Sequence, residues 1–227
     1  MKKRLLLIAP LGDKSLLGSD FYFRLPSLGL LKVASLTPPD WDVTIIDEKV
    51  EPLDVNQDAD LVGITAMTPV AKRGYAIAGE FRARGIPVVM GGMHVTKLPA
   101  EALQHCDSVV VGEAEDLWES LLADLSRGEL RQIYRHENGY PSLDHRPATN
   151  WDLYADKGYL PVHFVETTRG CPFNCEFCSV TSSFGGKFRN RCIDEIEQEI
   201  KSFKPFPGRF TWQNLVFFND DNIISSK

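Results

Sequence analysis

Long apolar runs are missing from this sequence. No stretch approaches the ~18 residues that a membrane span needs. The amino-terminal run Leu5–Ala9, behind Met-Lys-Lys-Arg, is five residues long and is closed by Pro10, Gly12 and Asp13. A signal peptide needs an apolar centre of roughly seven residues or more, so this run reads as a first buried strand. Positive charge is not in excess either. The chain carries 25 Lys and Arg against 31 Asp and Glu, and neither side of residue 140 is basic, which argues against a nucleic-acid binder held by phosphate contacts. Glycine-rich phosphate loops are absent. The turn after the first strand reads Pro10-Leu11-Gly12-Asp13-Lys14-Ser15, with neither the G-x-G-x-x-G nor the G-x-x-x-x-G-K-[ST] spacing, and this disfavours NAD and ATP. Cysteine is scarce: five in 227 residues, with three inside eight positions. An odd, clustered set in a chain of this length points to metal binding in a reducing cytoplasm rather than to disulfides. The expectation is a soluble cytoplasmic protein with no transmembrane segment.

From Arg4 to about Arg135 short β-rich runs alternate with helical stretches. The strand candidates Leu5–Ala9, Val43–Asp47, Leu61–Thr65, Val88–Met90 and Val109–Val111 are continuous apolar runs, as strands buried on both faces of a parallel sheet require. Helical candidates lie at about 27–36, 70–84, 98–105 and 114–126; in the last, Leu117, Leu121, Leu122 and Leu125 recur at helical spacing. Such alternation predicts right-handed crossovers and an α/β, doubly wound parallel sheet over residues 1–140. Residues 141–162, rich in proline and glycine, read as a linker. Residues 163–227 form a second unit: a strand at His163–Thr167, a cysteine loop, a helix at about 192–203 and a strand at Leu215–Phe218 that runs into Asn219-Asp220-Asp221-Asn222.

In an open parallel sheet, ligands bind beyond the carboxyl ends of the strands. Two such ends carry small or polar residues, Thr65-Ala66-Met67-Thr68 and Gly91-Gly92-Met93-His94. Adjacent glycines let a backbone approach a ligand closely, though they equally serve a plain strand-to-helix turn. A lone His94 is more often a hydrogen-bonded loop residue than a ligand. The cysteine loop, Cys171-Pro172-Phe173-Asn174-Cys175-Glu176-Phe177-Cys178, has the spacing C-x3-C-x2-C. Three thiolates in one tight loop suit a soft metal, whereas a structural zinc site normally takes four protein ligands. Cys106 and Cys192 read as small buried hydrophobes. Arg189 and Arg191 could face an anion, exposed arginines being the commoner case.

The loop, with Thr168-Arg169-Gly170 before it and Phe184-Gly185-Gly186 through Arg189 and Arg191 after it, resembles the signature of radical S-adenosylmethionine (radical SAM) enzymes. The first unit, through Gly91-Gly92-Met93-His94 and Val109–Glu115, resembles the cobalamin-binding domain that precedes many radical SAM domains. The resemblance implies a doubly wound cobalamin-binding domain followed by the first part of a radical SAM βα barrel. It implies a 4Fe–4S cluster on Cys171, Cys175 and Cys178, with one iron left open to S-adenosylmethionine. Phe177 would lie against S-adenosylmethionine, and Asp220 or Asp221 would meet its amino group. Thr65, Met67, Thr68, Gly91, Gly92 and His94 would border cobalamin. No histidine precedes His94, so the D-x-H-x-x-G loop that supplies a lower axial ligand elsewhere is absent. The activity implied is reductive cleavage of S-adenosylmethionine coupled to methyl transfer or related radical chemistry on an unactivated carbon. The partners implied are a small-molecule or lipid-like substrate and an external electron donor such as flavodoxin or ferredoxin. Radical SAM barrels commonly hold six βα repeats and only two strands are visible here, so the chain is expected to be a fragment of a longer enzyme. The alternative is a non-catalytic module that binds cobalamin and holds a structural metal at the cysteine loop.

Overall fold

A computed structural model describes residues 2–12, 24–204 and 215–224; Asp13 to Ser15 of the first turn lie outside the described residues. Six strands, β1 (Lys3–Ala9), β2 (Trp41–Asp47), β3 (Leu61–Thr65), β4 (Val88–Gly91), β5 (Ser108–Val111) and β6 (Ile133–Arg135), form one parallel sheet in the order β2-β1-β3-β4-β5-β6. The strand order reverses between β1 and β3, the switch point at which doubly wound sheets open a crevice. Successive residues of β1 alternate between two cores. Leu5 and Leu7 face one, with α1 (Leu28–Ser35) and α5 (Trp118–Arg127); Leu6 and Ile8 face the other, with α2 (Ala71–Ala83), α3 (Met93–Lys97) and α4 (Pro99–Ala102). Burial on both faces explains the unbroken apolar strands. Each fully buried side chain such as Ile77 or Phe81 contributes about 1.5–3 kcal/mol relative to exposure.

The structure departs from the sequence reading in four places. The helix expected at 98–105 is only the short α4, Pro99–Ala102, and is preceded by a separate short helix α3, because Pro99 has no N–H to continue α3 and opens α4 instead. The helix expected from residue 114 begins at Trp118, after Asp116 takes a positive φ of 64°. Strand β6, in which Tyr134 alone is buried, was not read from the sequence. Residues 141–162 are also more than a tether. Leu143 and Tyr154 are buried, the Tyr154 hydroxyl donates to the Ser27 carbonyl at 3.1 Å, and the Tyr159 hydroxyl donates to the buried Asp47 carboxylate at 3.1 Å. The segment is strapped along the β2 edge of the sheet.

Beyond it, β7 (Val162–Val165) pairs in parallel with β10 (Leu215–Phe218), and the described part of their connection holds α6 (Val180–Phe184) and α7 (Ile193–Ser202). This is the beginning of a βα barrel. A small antiparallel ribbon, β8 (Thr168–Arg169) with β9 (Arg189–Asn190), brackets the cysteine loop.

Candidate functional site

A cavity of about 290 Å³ opens at the carboxyl ends of β1, β3, β4 and β5, between the sheet and the start of the barrel. Leu7, Gly63, Val89 and Val110 form its sheet wall, Leu28 to Leu36 of the α1 region form one side, and Glu166, Arg169, Phe184 and Asn219 close it from the barrel. Glycines make the room. A Cβ on Gly91 would find no atom nearer than 3.8 Å, and one on Gly112 would find none within 4 Å. Gly91 thus stands at ordinary van der Waals distance from Val110, and Gly112, at a φ of +87°, faces open space.

Of the residues expected to border cobalamin, Thr65, Gly91 and Gly92 line this cavity, whereas Met67, Thr68 and His94 are not among its lining. Gly92 has a further reason to be glycine. Its φ is +94°, and a Cβ there would stand 2.9 Å from the Ala66 backbone, so the strand-to-helix turn itself demands it. His94 is buried, with Nε2 3.0 Å from the Tyr75 hydroxyl and Nδ1 3.3 Å from the Thr68 hydroxyl. It is a hydrogen-bonded histidine on the α3 side of the sheet. The Tyr75 hydroxyl, partly buried and hydrogen-bonded to Glu101, is pushed up to about 12.

The cysteine loop winds tightly from β8 to α6. The Cys175 N–H donates to the Phe173 carbonyl at 2.8 Å and the Cys178 N–H to the Cys175 carbonyl at 3.1 Å. Cys171 is buried, Cys178 half-buried and Cys175 exposed, all three as free thiols, and Phe177 is 93% exposed. Among the described residues no three Cys, His, Asp or Glu side chains are gathered closely enough to hold a metal ion. The donor set nevertheless suits a thiolate-bound iron–sulfur cluster: three unpaired cysteines on one short loop, open to solvent on one side. The base of the loop is pinned. Asp220 accepts from the Thr167 and Thr168 N–H groups at 2.6 and 2.9 Å and from the Thr167 hydroxyl at 2.5 Å. Asp221 accepts from the Gly170 N–H at 2.9 Å, and burial raises its carboxyl above the usual aspartate value. The Asn222 amide lies 3.6 Å from the Cys171 sulfur. The aspartates thus tie the end of β10 to the turn before the first cysteine.

Sequence reasoning did not find the charged cluster on the barrel side of the cavity. Arg169, two residues before Cys171, is buried and paired with Glu113 and with Glu115 and Glu166, the last two at 2.9 and 2.8 Å. Arg189 shares Glu113, and Lys32 of α1 shares Glu166. Burial opposes the charge on Glu166, but the Lys32 and Arg169 cations outweigh it and hold the carboxyl down to about 2. Arg191 pairs with Glu199 at 2.6 Å. The expectation of exposed arginines at 189 and 191 is corrected: both side chains are mostly buried, because each meets a buried carboxylate. The available signal was the Glu113-Ala114-Glu115 sequence at a strand end, two acids placed where the sheet opens.

Residues 14–122 match the B12 binding domain family. The chain is 34% identical, over 98% of its length, to the bacteriochlorophyllide d C-12(1)-methyltransferase of Chlorobaculum tepidum, and 41% identical over 88% to the C-8(2)-methyltransferase of the same organism. It covers 49% and 46% of those proteins, so it spans about half the length of these relatives. In fold it is similar to the radical S-adenosylmethionine methyltransferase TsrM of Kitasatospora setae, with a TM-score of 0.62, 18% identity, and coverage of 88% of this chain and 45% of that one. The match to the B12 binding domain thus falls on the sheet, and the sheet with the βα segment behind it shares the fold of that methyltransferase.

Proposed function

We propose that residues 1–140 bind cobalamin and residues 163–227 hold a 4Fe–4S cluster and S-adenosylmethionine, as parts of a methyltransferase acting on an unactivated carbon. The observation that carries this reading is the cavity at the β1/β3 switch point, floored by glycines and closed by the segment that leads into the cysteine loop. The cavity is smaller than a whole cobalamin and suits one arm of it. Gly91 and Gly112 leave the space for that arm, and Thr65 offers it a hydroxyl. Cys171, Cys175 and Cys178 would supply the thiolates, with Asp220 and Asp221 fixing the base of their loop and Phe177 free to cover a bound nucleoside. When bound, the cluster supplies one electron to cleave the carbon–sulfur bond of S-adenosylmethionine, and cobalamin supplies a methyl carrier. The substrate is a small or lipid-like molecule and the electron donor a flavodoxin or ferredoxin, in the cytoplasm. Among the described residues no helix is long and apolar enough to cross a membrane.

Gly91→Leu tests the site, since a Cβ there would meet Val110 only at ordinary van der Waals distance, 3.8 Å. Cobalamin binding followed by the visible spectrum should weaken at least about tenfold while the melting temperature stays near that of the unsubstituted protein. Unchanged affinity would move cobalamin away from this cavity.

A further inference from the structure

We propose that Arg169 is a positioning residue: with Glu113, Glu115 and Glu166 it fixes where the cysteine loop stands relative to the cavity in the sheet. This rests on the cofactor reading above, and it assigns a role to side chains that touch no reacting atom. Two of the three carboxylates come from the sheet, beyond the end of β5, while Glu166 and Arg169 belong to the barrel. One guanidinium therefore joins the two units through all of its donor nitrogens: Nε and Nη2 to Glu166, Nη2 to Glu115 and Nη1 to Glu113. Three acids (113, 115 and 166) face three cations (Arg169, Arg189 and Lys32), so the cluster is neutral as a whole and every member is partnered.

A buried ion cluster of this kind contributes less to stability than its charges suggest. Desolvation offsets the attraction, and its better-attested use is to select one arrangement among several. Here a selected arrangement would reach Cys171 almost without slack. Gly170, the single residue between, is held by its N–H to Asp221 and by close approach to the Lys187 and Gly185 carbonyls, and the Cys171 N–H donates to the Gly185 carbonyl at 3.2 Å. A shift of Arg169 against Glu113 therefore moves the first cysteine against the sheet. The guanidinium fork can satisfy three carboxylates at once; a lysine ammonium cannot reproduce that geometry.

The test compares unsubstituted holoenzyme with Arg169→Lys and Glu113→Gln, each loaded with cob(II)alamin and a reduced cluster. Iron and cobalt content are measured, the cluster-to-cobalt distance distribution is read by pulsed electron paramagnetic resonance, and hydrogen exchange of residues 162–171 is followed. Both variants should retain iron and cobalt, the distance distribution should broaden or split, and exchange should accelerate. Methyl transfer should fall by about 100-fold, as displacement of reacting groups by an ångström does. A distribution as narrow as the parent's in both variants overturns the proposal. Loss of iron and cobalt together in both variants also overturns it, because the cluster of charges would then serve folding alone. Unsubstituted protein that takes up neither cofactor would instead fail the reading on which the proposal rests, and the proposal with it.

Discussion

Gly170, which leads into the cysteine loop, is tightly constrained. Its φ is +91°, and a Cβ would stand 2.4 Å from the Lys187 carbonyl oxygen and 3.1 Å from that of Gly185. Backbone atoms cannot step aside as a flexible side chain would. Gly170→Ala should therefore cost on the order of 1–3 kcal/mol from conformation alone, with the overlap added to that. Chemical denaturation would show the loss of stability, and iron content after reconstitution should fall with it; a variant matching the parent in both would mean that the turn relaxes easily. The sequence displayed Thr168-Arg169-Gly170 as a motif without the reason for it. A positive φ and a crowded Cα are properties of the folded turn. The C-x3-C-x2-C spacing of the three cysteines, in contrast, is plain in the sequence, whereas their unequal burial, with Cys171 buried and Cys175 exposed, is set by the fold. His94 could be read either way from sequence, and its bonds to Tyr75 and Thr68 show how a strand-end histidine is satisfied internally.

Among the elements, β1, β3, β4 and β5 were readable because burial on both faces leaves an apolar run, whereas the edge strand β2 has exposed Asp42 and Thr44. Strand β6 was not, since only Tyr134 of its three residues is buried and one apolar position defines no period. The charge cluster was hidden for a related reason. Glu113, Glu115 and Glu166 lie just beyond strand ends, where acids ordinarily face water; they become buried only because the barrel segment packs over the sheet. That packing sets a pH dependence. Burial disfavours the charged form of Glu166, but Lys32 and Arg169 more than compensate, and its folded value lies near 2 against an ordinary 4.5. Glu115 is also lowered: burial opposes the shift, and Arg169 drives it. Groups depressed on folding contribute stability that is fully present above the unfolded value and is lost as pH falls toward the folded one. Urea midpoints should thus hold between pH 7 and 5 and decline from about 4.5 downward, less steeply in Glu166→Gln than in the parent. An equal slope in both would place the acid sensitivity elsewhere.

At the scale of the whole molecule, two units meet at one cavity. The sheet presents glycine-lined strand ends, the barrel segment presents the approach to its cysteine loop, and the strap at 141–162 with the Arg169 cluster holds the two faces together. The fold of the sheet was legible in advance; the contact surface was not, because periodicity reports which face of an element is buried but not which partner buries it. On the far side, β10 leaves Leu215, Phe217 and Phe218 exposed, at 44%, 55% and 45%, and the chain spans about half the length of the methyltransferases it resembles. On the function proposed above, the cysteine loop carries a cluster with one iron open to S-adenosylmethionine, beside a cobalamin site. Electron paramagnetic resonance of the anaerobically reconstituted, dithionite-reduced protein, recorded with and without S-adenosylmethionine, tests it most directly. The expected result is a reduced 4Fe–4S signal that changes shape when S-adenosylmethionine is added and disappears in Cys171→Ala, Cys175→Ala or Cys178→Ala. A signal indifferent to S-adenosylmethionine, or one that survives loss of any of the three cysteines, would contradict it.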